Sequence, residues 1–317
     1  KEYIVIICAG IIFTTLYNLT ASILRAVGNS KVPLYFLILS ALLNVVLDLF
    51  FIMVLSWGVA GAAIATVMSR FVECGYLIIY TYRHSDKYRF IKGVYSNLHV
   101  PSSLVKKILL RGTPLLFNEL LWAAGITMQT QALSTRGLSA IAGLNISNTL
   151  NNVVNTFFLT MGIAISIVIG QLIGAGKLKE AKETDTKMIT FSLMISLGVS
   201  ALLLIAAPLF PRIYNTTGEI RYLATRFILV YVLATPFNAF TNAAYFTLRS
   251  GGKTVMTFIF DSGFIWAVNV PVAMLLAHFT NLPIVWMFFI ISMLDAIKSV
   301  VGFILVKKGD WLNIIVE

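Results

Sequence analysis

Nine apolar stretches, separated by short polar breaks, make up most of the chain: roughly 3–24, 33–55, 60–82, 108–132, 139–173, 187–208, 222–247, 254–278 and 283–306. A helix needs about 20 apolar residues to cross a bilayer, and each stretch approaches or exceeds that length. Helices are expected because backbone groups in lipid must be satisfied within their own segment. The short alternating runs of a β-barrel do not occur in the pattern. The fifth stretch is too long for one simple span. It is expected either to be broken by polar residues around Asn145–Asn155 or to extend beyond the bilayer. The pattern predicts an all-α polytopic membrane protein.

A short motif recurs in the breaks. After the first stretch it reads Leu24-Arg25-Ala26-Val27-Gly28-Asn29-Ser30-Lys31, and after the seventh Leu248-Arg249-Ser250-Gly251-Gly252-Lys253-Thr254, with Arg249 standing 224 positions after Arg25. A repeat of that length in a polytopic chain points to a transporter of two similar halves. Six stretches separate the copies, and an even number keeps both on one side. The halves are therefore parallel repeats. The second copy follows the fourth stretch of its half, counted from the one at 108, whereas the first copy follows the first stretch of the chain. By that symmetry the first half is short of three helices, about 120 residues, and twelve helices are expected in all. The expected division is the last three helices of an N-lobe at 1–82, a basic inter-lobe linker at 83–106, and a six-helix C-lobe at 107–317.

Composition agrees with a membrane setting. The 317 residues are 58% hydrophobic and 12% charged, against about 25% charged in ordinary globular chains. The net charge of +11 raises the question of nucleic acid. The basic residues, however, lie in the breaks, as they do when they set membrane orientation. They crowd alternate breaks: Arg25 and Lys31; Arg83 to Arg111; Lys177, Lys179, Lys182 and Lys187; Arg249 and Lys253; Lys307 and Lys308. Those breaks and the C-terminus are expected in the cytoplasm, and the first helix is expected to start outside. Trp57, Tyr80, Tyr82 and Trp311 fall near helix ends, where interfacial aromatics are expected. Cys8 and Cys74 lie inside predicted helices and suggest neither disulfide nor metal site. His84, His99 and His278 sit in loops or at helix ends, and no HExxH or GxSxG motif accompanies them, so no enzyme is expected. Nothing resembles a selectivity filter.

An ionisable residue inside a membrane needs a partner or a task. Arg70 and Glu73, and likewise Asp295 and Lys298, stand three apart and are expected to form ion pairs within their helices. Asp48 has no basic residue within helical reach. Asn44, one turn earlier, shares its face. Counting from the Ser56–Val59 turn at about 1.5 Å per residue, Asp48 is ~10 Å deep and Thr66, returning in the next helix, ~9 Å deep. A carboxylate with amide and hydroxyl oxygens is a hard-oxygen set suited to Na+, and the carboxylate alone can carry a proton. The alternative is a hydrogen-bond network that only fastens two helices. Glu119, without a basic partner at helical spacing, is a candidate for attracting cationic substrate, and Asp261 is a weaker one. Asn148, Asn152 and their neighbours are too polar to face lipid and, with Gln129, are expected to line water or the facing lobe.

The run from Tyr17-Asn18 through the Leu24–Pro33 motif, Asn44-Val45-Val46-Leu47-Asp48 and Gly58-Val59-Ala60-Gly61-Ala62-Ala63-Ile64-Ala65-Thr66 resembles the multidrug and toxic compound extrusion (MATE) family, in its prokaryotic DinF-like branch. Arg111-Gly112-Thr113-Pro114 and Gly170-Gln171-Leu172-Ile173-Gly174-Ala175-Gly176 agree with it. The resemblance implies a two-lobe bundle of twelve helices that rocks between outward- and inward-open states. It implies export of varied, mostly cationic organic compounds driven by Na+ or H+, with no other cofactor, from the cell inner membrane and by a monomer. It matches Asn44, Asp48 and Thr66, with Asn18 as a further member, to the N-lobe cation site. The family also uses an acid on its first helix, which this chain does not contain. A lipid-linked oligosaccharide flippase is the alternative. Its phosphates call for intramembrane bases, and the mid-helix bases Arg70 and Lys298 each have an acid nearby.

Overall fold

Every apolar stretch is helical. The computed structural model describes residues 2–86, 88 and 101–312, and among them no strand occurs. Helix α1 spans Glu2–Ala26, α2 Lys31–Val54, α3 Gly58–Arg83, α4 Ser102–Ser134, α5 Leu138–Gly174, α6 Leu178–Ala206, α7 Gly218–Ser250, α8 Thr254–Phe279 and α9 Ile284–Lys308. Eight of the nine are long and apolar enough to cross a membrane. The exception is α4, where Asn118, Glu119, Gln129 and Gln131 interrupt the apolar run. Ile4, Leu42, Val46, Leu109, Leu202, Ile205 and Phe303 stand exposed on their helices, as lipid-facing side chains do.

The repeated motif is a helix stop. Past α1, Gly28 turns left-handed at φ +84°, its amide bonds Arg25 O at 2.9 Å, and the Asn29 amide bonds Leu24 O at 2.9 Å. This crossed pair is the Schellman arrangement, and the positive φ favours glycine. Gly176, at φ +75°, ends α5 with the same crossed pair, and Gly252, at φ +71°, ends α7 with its amide on Arg249 O at 3.0 Å.

One open alternative closes and two expectations change. α5 runs unbroken for 37 residues through Asn145–Asn155, about 55 Å at 1.5 Å per residue, so it projects beyond the bilayer. α6 begins at Leu178 rather than near 187. Its lysines therefore ride the first helical turns, and Lys177 pairs with Glu180 at 3.0 Å. Trp311, expected at an interface, is fully buried and donates from its indole to Val306 O at 3.0 Å. Trp57 and Tyr82 are exposed, as expected of interfacial aromatics.

The chain divides into two compact units, Lys1–Pro101 and Ser102–Glu317. Most of the linker expected at 83–106, His99 included, lies outside the described residues. In the first unit Tyr17, Ala21, Leu24, Cys74 and Leu77 form the core. Gly10 lets α1 and α3 approach closely, since a Cβ there would fall 2.5 Å from Val67. In the second unit one apolar cluster joins α5, α6 and α7, and another centres on Phe227, Phe288 and Met287. Gly162 of α5 admits the ring of Phe246. Arg136 reaches across to the carbonyls of Leu276 and Thr280 at the end of α8.

Candidate ion-coupling site and a buried polar cluster

The helix period brings Asn44 and Asp48 onto one face of α2, just before the helix widens into the π-turn Phe50–Val54. Both residues are half-buried. Asn44 Nδ2 and Asp48 Oδ1 are shut off from solvent without any hydrogen-bond partner. Unpaired buried polar atoms are costly, which makes this pair a candidate for holding an ion or a proton. A half-turn of the Asn44 amide would present its oxygen instead of its nitrogen.

The register between α2 and α3 is set by Ser40 Oγ donating to Ser69 O at 3.1 Å, by Phe36 stacked on Tyr76 at 6.0 Å and by Phe51 stacked on Trp57 at 5.1 Å. In that antiparallel register Thr66 falls level with Asn44, and Asp48 stands about one turn, ~6 Å, nearer the Ser56–Val59 turn. This differs from the equal depth read along the sequence, which took no account of helix packing. Thr66 donates its hydroxyl to Ala62 O at 3.0 Å, so its oxygen lone pairs remain for accepting or coordinating. Asn18 is exposed on α1.

The expected Arg70–Glu73 pair forms, with Nη1 to Oε2 at 2.7 Å and the Glu73 side chain wholly buried. The pair expected between Asp295 and Lys298 does not. Lys298 Nζ instead lies 2.6 Å from Asp261 Oδ1. Asp261 sits in the π-turn Ile259–Gly263 of α8 and is held from several sides. Asn118 of α4 donates its Nδ2 to Asp261 Oδ2 at 3.1 Å, while Asn118 Oδ1 accepts from Ser262 Oγ at 2.8 Å and from the Ser262 amide at 3.3 Å. These bonds gather α4, α8 and α9 around one buried polar cluster. Asp261, read from sequence as a weak candidate for substrate contact, is an ion-paired structural centre.

Glu119 is exposed on α4 and within electrostatic reach of Tyr245. Asn152 is exposed on α5. Asn148 is already engaged, accepting from the Tyr231 hydroxyl at 2.6 Å. Gln129 has its Nε2 buried without a partner. One buried acid escaped the sequence reading: Asp185 of α6, 1% exposed, accepts from Thr247 Oγ1 at 2.6 Å. It was hidden because its segment was read as a lysine-rich loop.

Comparison with known proteins follows the same outline. The family description MatE matches residues 1–50 and 114–275. A probable multidrug resistance protein of Bacillus subtilis, YoeA, is 28% identical over 282 residues, covering 86% of this chain and 60% of that protein. A probable multidrug resistance protein of Thermotoga maritima, NorM, is 24% identical over 323 residues, covering 98% of this chain and 67% of its own length. The chain thus spans about three-fifths to two-thirds of these relatives. Among solved structures, a MOP superfamily transporter from Pyrococcus furiosus, described as having a binding pocket of reverse polarity, superposes with a TM-score of 0.88 at 21% identity over 98% of this chain and 70% of that one. An outward-facing multidrug resistance MATE transporter gives 0.86 at 22% identity, over 98% and 69%. At such identity the likeness shows the fold. Because the family match extends through both units and takes in α2 as far as Phe50, the chain belongs to the MatE family.

Proposed function

We propose that the protein is a cation-coupled antiporter that exports organic, mostly cationic compounds by alternating access. The observation that carries this reading is the buried, unpartnered Asn44 Nδ2–Asp48 Oδ1 pair in the membrane-spanning α2. Asp48 would hold the coupling Na+ or H+, with Asn44 and Thr66 supplying neutral oxygens. Asn18 has the weakest claim: Gly10 lies against Val67 and Phe13 against Phe71, so the exposed Asn18 falls ~14 Å along the helices from the level of Thr66. Glu119, Asn152 and Gln129 are the groups we assign to substrate, and Asn148 has a weaker claim because Tyr231 already uses it. The names of the relatives, multidrug resistance proteins, agree with this class of substrate. The flippase reading is disfavoured because the mid-helix bases are neutralised, Arg70 by Glu73 and Lys298 by Asp261. They offer no free charge to a phosphate. We also propose residence in the cell inner membrane with the C-terminus in the cytoplasm, on the alternation of basic loops.

The test is drug export from proteoliposomes under an imposed Na+ or H+ gradient. Asp48→Asn keeps the shape and removes the charge. Gradient-driven export should fall roughly 5- to 150-fold, the usual span of a coupling free energy. Export that continues undiminished would leave Asp48 a structural residue and remove the reading's main support.

A further inference from the structure

The two copies of the repeated motif share more than a glycine stop. Just past the last helix of each half stands an aromatic residue that folds back onto the motif's turn. Tyr88 follows α3 and Trp311 follows α9, 223 positions apart, one short of the 224 that separate Arg25 from Arg249 and Gly28 from Gly252. The helices before them correspond as wholes, since α3 and α9 begin 226 and end 225 positions apart. Both aromatics are buried, Tyr88 at 4% exposure and Trp311 at 0%. Each packs into the apolar cluster that holds its motif's leucine, Tyr88 with Leu24 and Trp311 with Leu248.

The two contacts are made differently. In the first half the contact is a hydrogen bond. Asn29 of the motif donates its Nδ2 to Tyr88 Oη at 2.5 Å, while its Oδ1 accepts from the Val32 amide at 3.3 Å, where α2 begins. One side chain thus joins the start of α2 to a residue beyond α3. Backbone bonds hold the path between α3 and Tyr88, from the Ser85 amide to Tyr82 O at 3.2 Å and from the Tyr88 amide to His84 O at 3.0 Å. In the second half the contact is backbone against backbone. Past α9 the chain turns at Gly309, φ +77°, and the Leu312 amide closes the turn on Gly309 O at 3.0 Å. That turn lays the Trp311 carbonyl on Gly251, where a Cβ would overlap it. Gly251 has an ordinary φ of −79°, so close approach, not backbone conformation, demands a glycine there.

We propose that Tyr88 and Trp311 are equivalent clasps. Each ties the segment beyond its half's last helix to the turn of that half's motif, so that segment and turn open together. Through Tyr88 the first residues of the basic segment expected to link the halves belong to the first unit, and the segment leaves that unit from a fixed point beside Asn29. In the alternating-access reading this is where a pull along the linker would enter α1 and α2. The clasps themselves do not depend on that reading.

The test is hydrogen–deuterium exchange of the protein in lipid, read on four segments: 24–31 and 85–88 in the first half, 248–254 and 309–312 in the second. Tyr88→Phe keeps the ring and removes the hydroxyl that Asn29 donates to. Exchange should quicken about tenfold in both 24–31 and 85–88, as for the loss of one buried hydrogen bond, with the second half unchanged. Asn29→Ala should quicken exchange at 85–88, which a defect confined to its own turn would not reach. Trp311→Ala should loosen 248–254 as well as 309–312 and leave the first half alone. Should that variant not fold, Gly251→Ala replaces it and should loosen 309–312 from the turn side. A variant that changes only the segment it sits in overturns the proposal, and so does one that loosens all four segments, since that is general destabilisation. Failed gradient-driven export by the unaltered protein would sink the transport reading and leave the clasps standing.

Discussion

Asn118 shows how much one side chain can organise. Its amide joins α4 to two residues of the α8 turn, and it is 1% exposed. Asn118→Leu would strand Ser262 and one oxygen of Asp261, at about 1–3 kcal/mol for each group left unsatisfied. A clear drop in the thermal midpoint of the purified protein should report it. The left-handed glycines make a second case. Gly28→Ala or Gly252→Ala places a Cβ in a backbone region that costs about 1–2 kcal/mol, and each should lower the same midpoint. A Cβ at Gly28 meets nothing within 4 Å, so a loss there reports backbone strain alone. The glycines, the Arg70–Glu73 pair and the Asn44–Asp48 face were legible in the sequence because each depends on spacing within one element. The Lys298–Asp261 bond was not. It joins residues 37 positions apart, and the i,i+3 rule offered Lys298 a nearer and plausible acid.

Helices decide differently from residues. Seven polar side chains in Asn145–Asn155 suggested a break in α5, yet the helix continues. Backbone hydrogen bonds in lipid are worth more than the local preferences of asparagine. Val153→Pro, on an exposed position of the same helix, should therefore be severe, at about 3 kcal/mol or more, with loss of folded yield as the measurement. At the start of α6 the lysines looked like a solvated loop. If the helix begins at Leu178, cysteines introduced over 179–186 in a background lacking Cys8 and Cys74 should react with helical period. Positions 179, 182, 183 and 186 are exposed, and 181 and 185 are buried. Uniform reactivity along the segment would mean a loop.

Across the whole molecule, the alternation of basic breaks makes a topological prediction. A cysteine at Ser56 should be labelled by an impermeant reagent from outside intact cells, and one at Lys179 only after permeabilisation. The reverse pattern would invert the orientation. The repeat that first suggested two halves has a local cause as well as an ancestral one. Gly28, Gly252 and Gly176 all end long helices by the same left-handed turn. The likeness of the first two copies is therefore partly the chemistry of stopping a helix, and the matched lengths of α3 and α9 are the stronger sign of duplication.

By itself the sequence determined nine helices, the positions of their stops, the family, and the face of α2 that carries Asn44 and Asp48. Apolar length, left-handed glycine and the 3.6-residue period act within a segment, where order along the chain is also order in space. Only the tertiary structure decided that Thr66 falls level with Asn44, that Asn148 is engaged by Tyr231, that Asp185 is buried, and that Lys298 abandons Asp295 for Asp261. Those outcomes turn on which helix faces which and at what register. Inside a membrane, lipid is as apolar as a neighbouring helix, so close packing and a few polar bonds fix that register rather than hydrophobicity. Such bonds join residues far apart in the chain, where spacing along one helix carries no information.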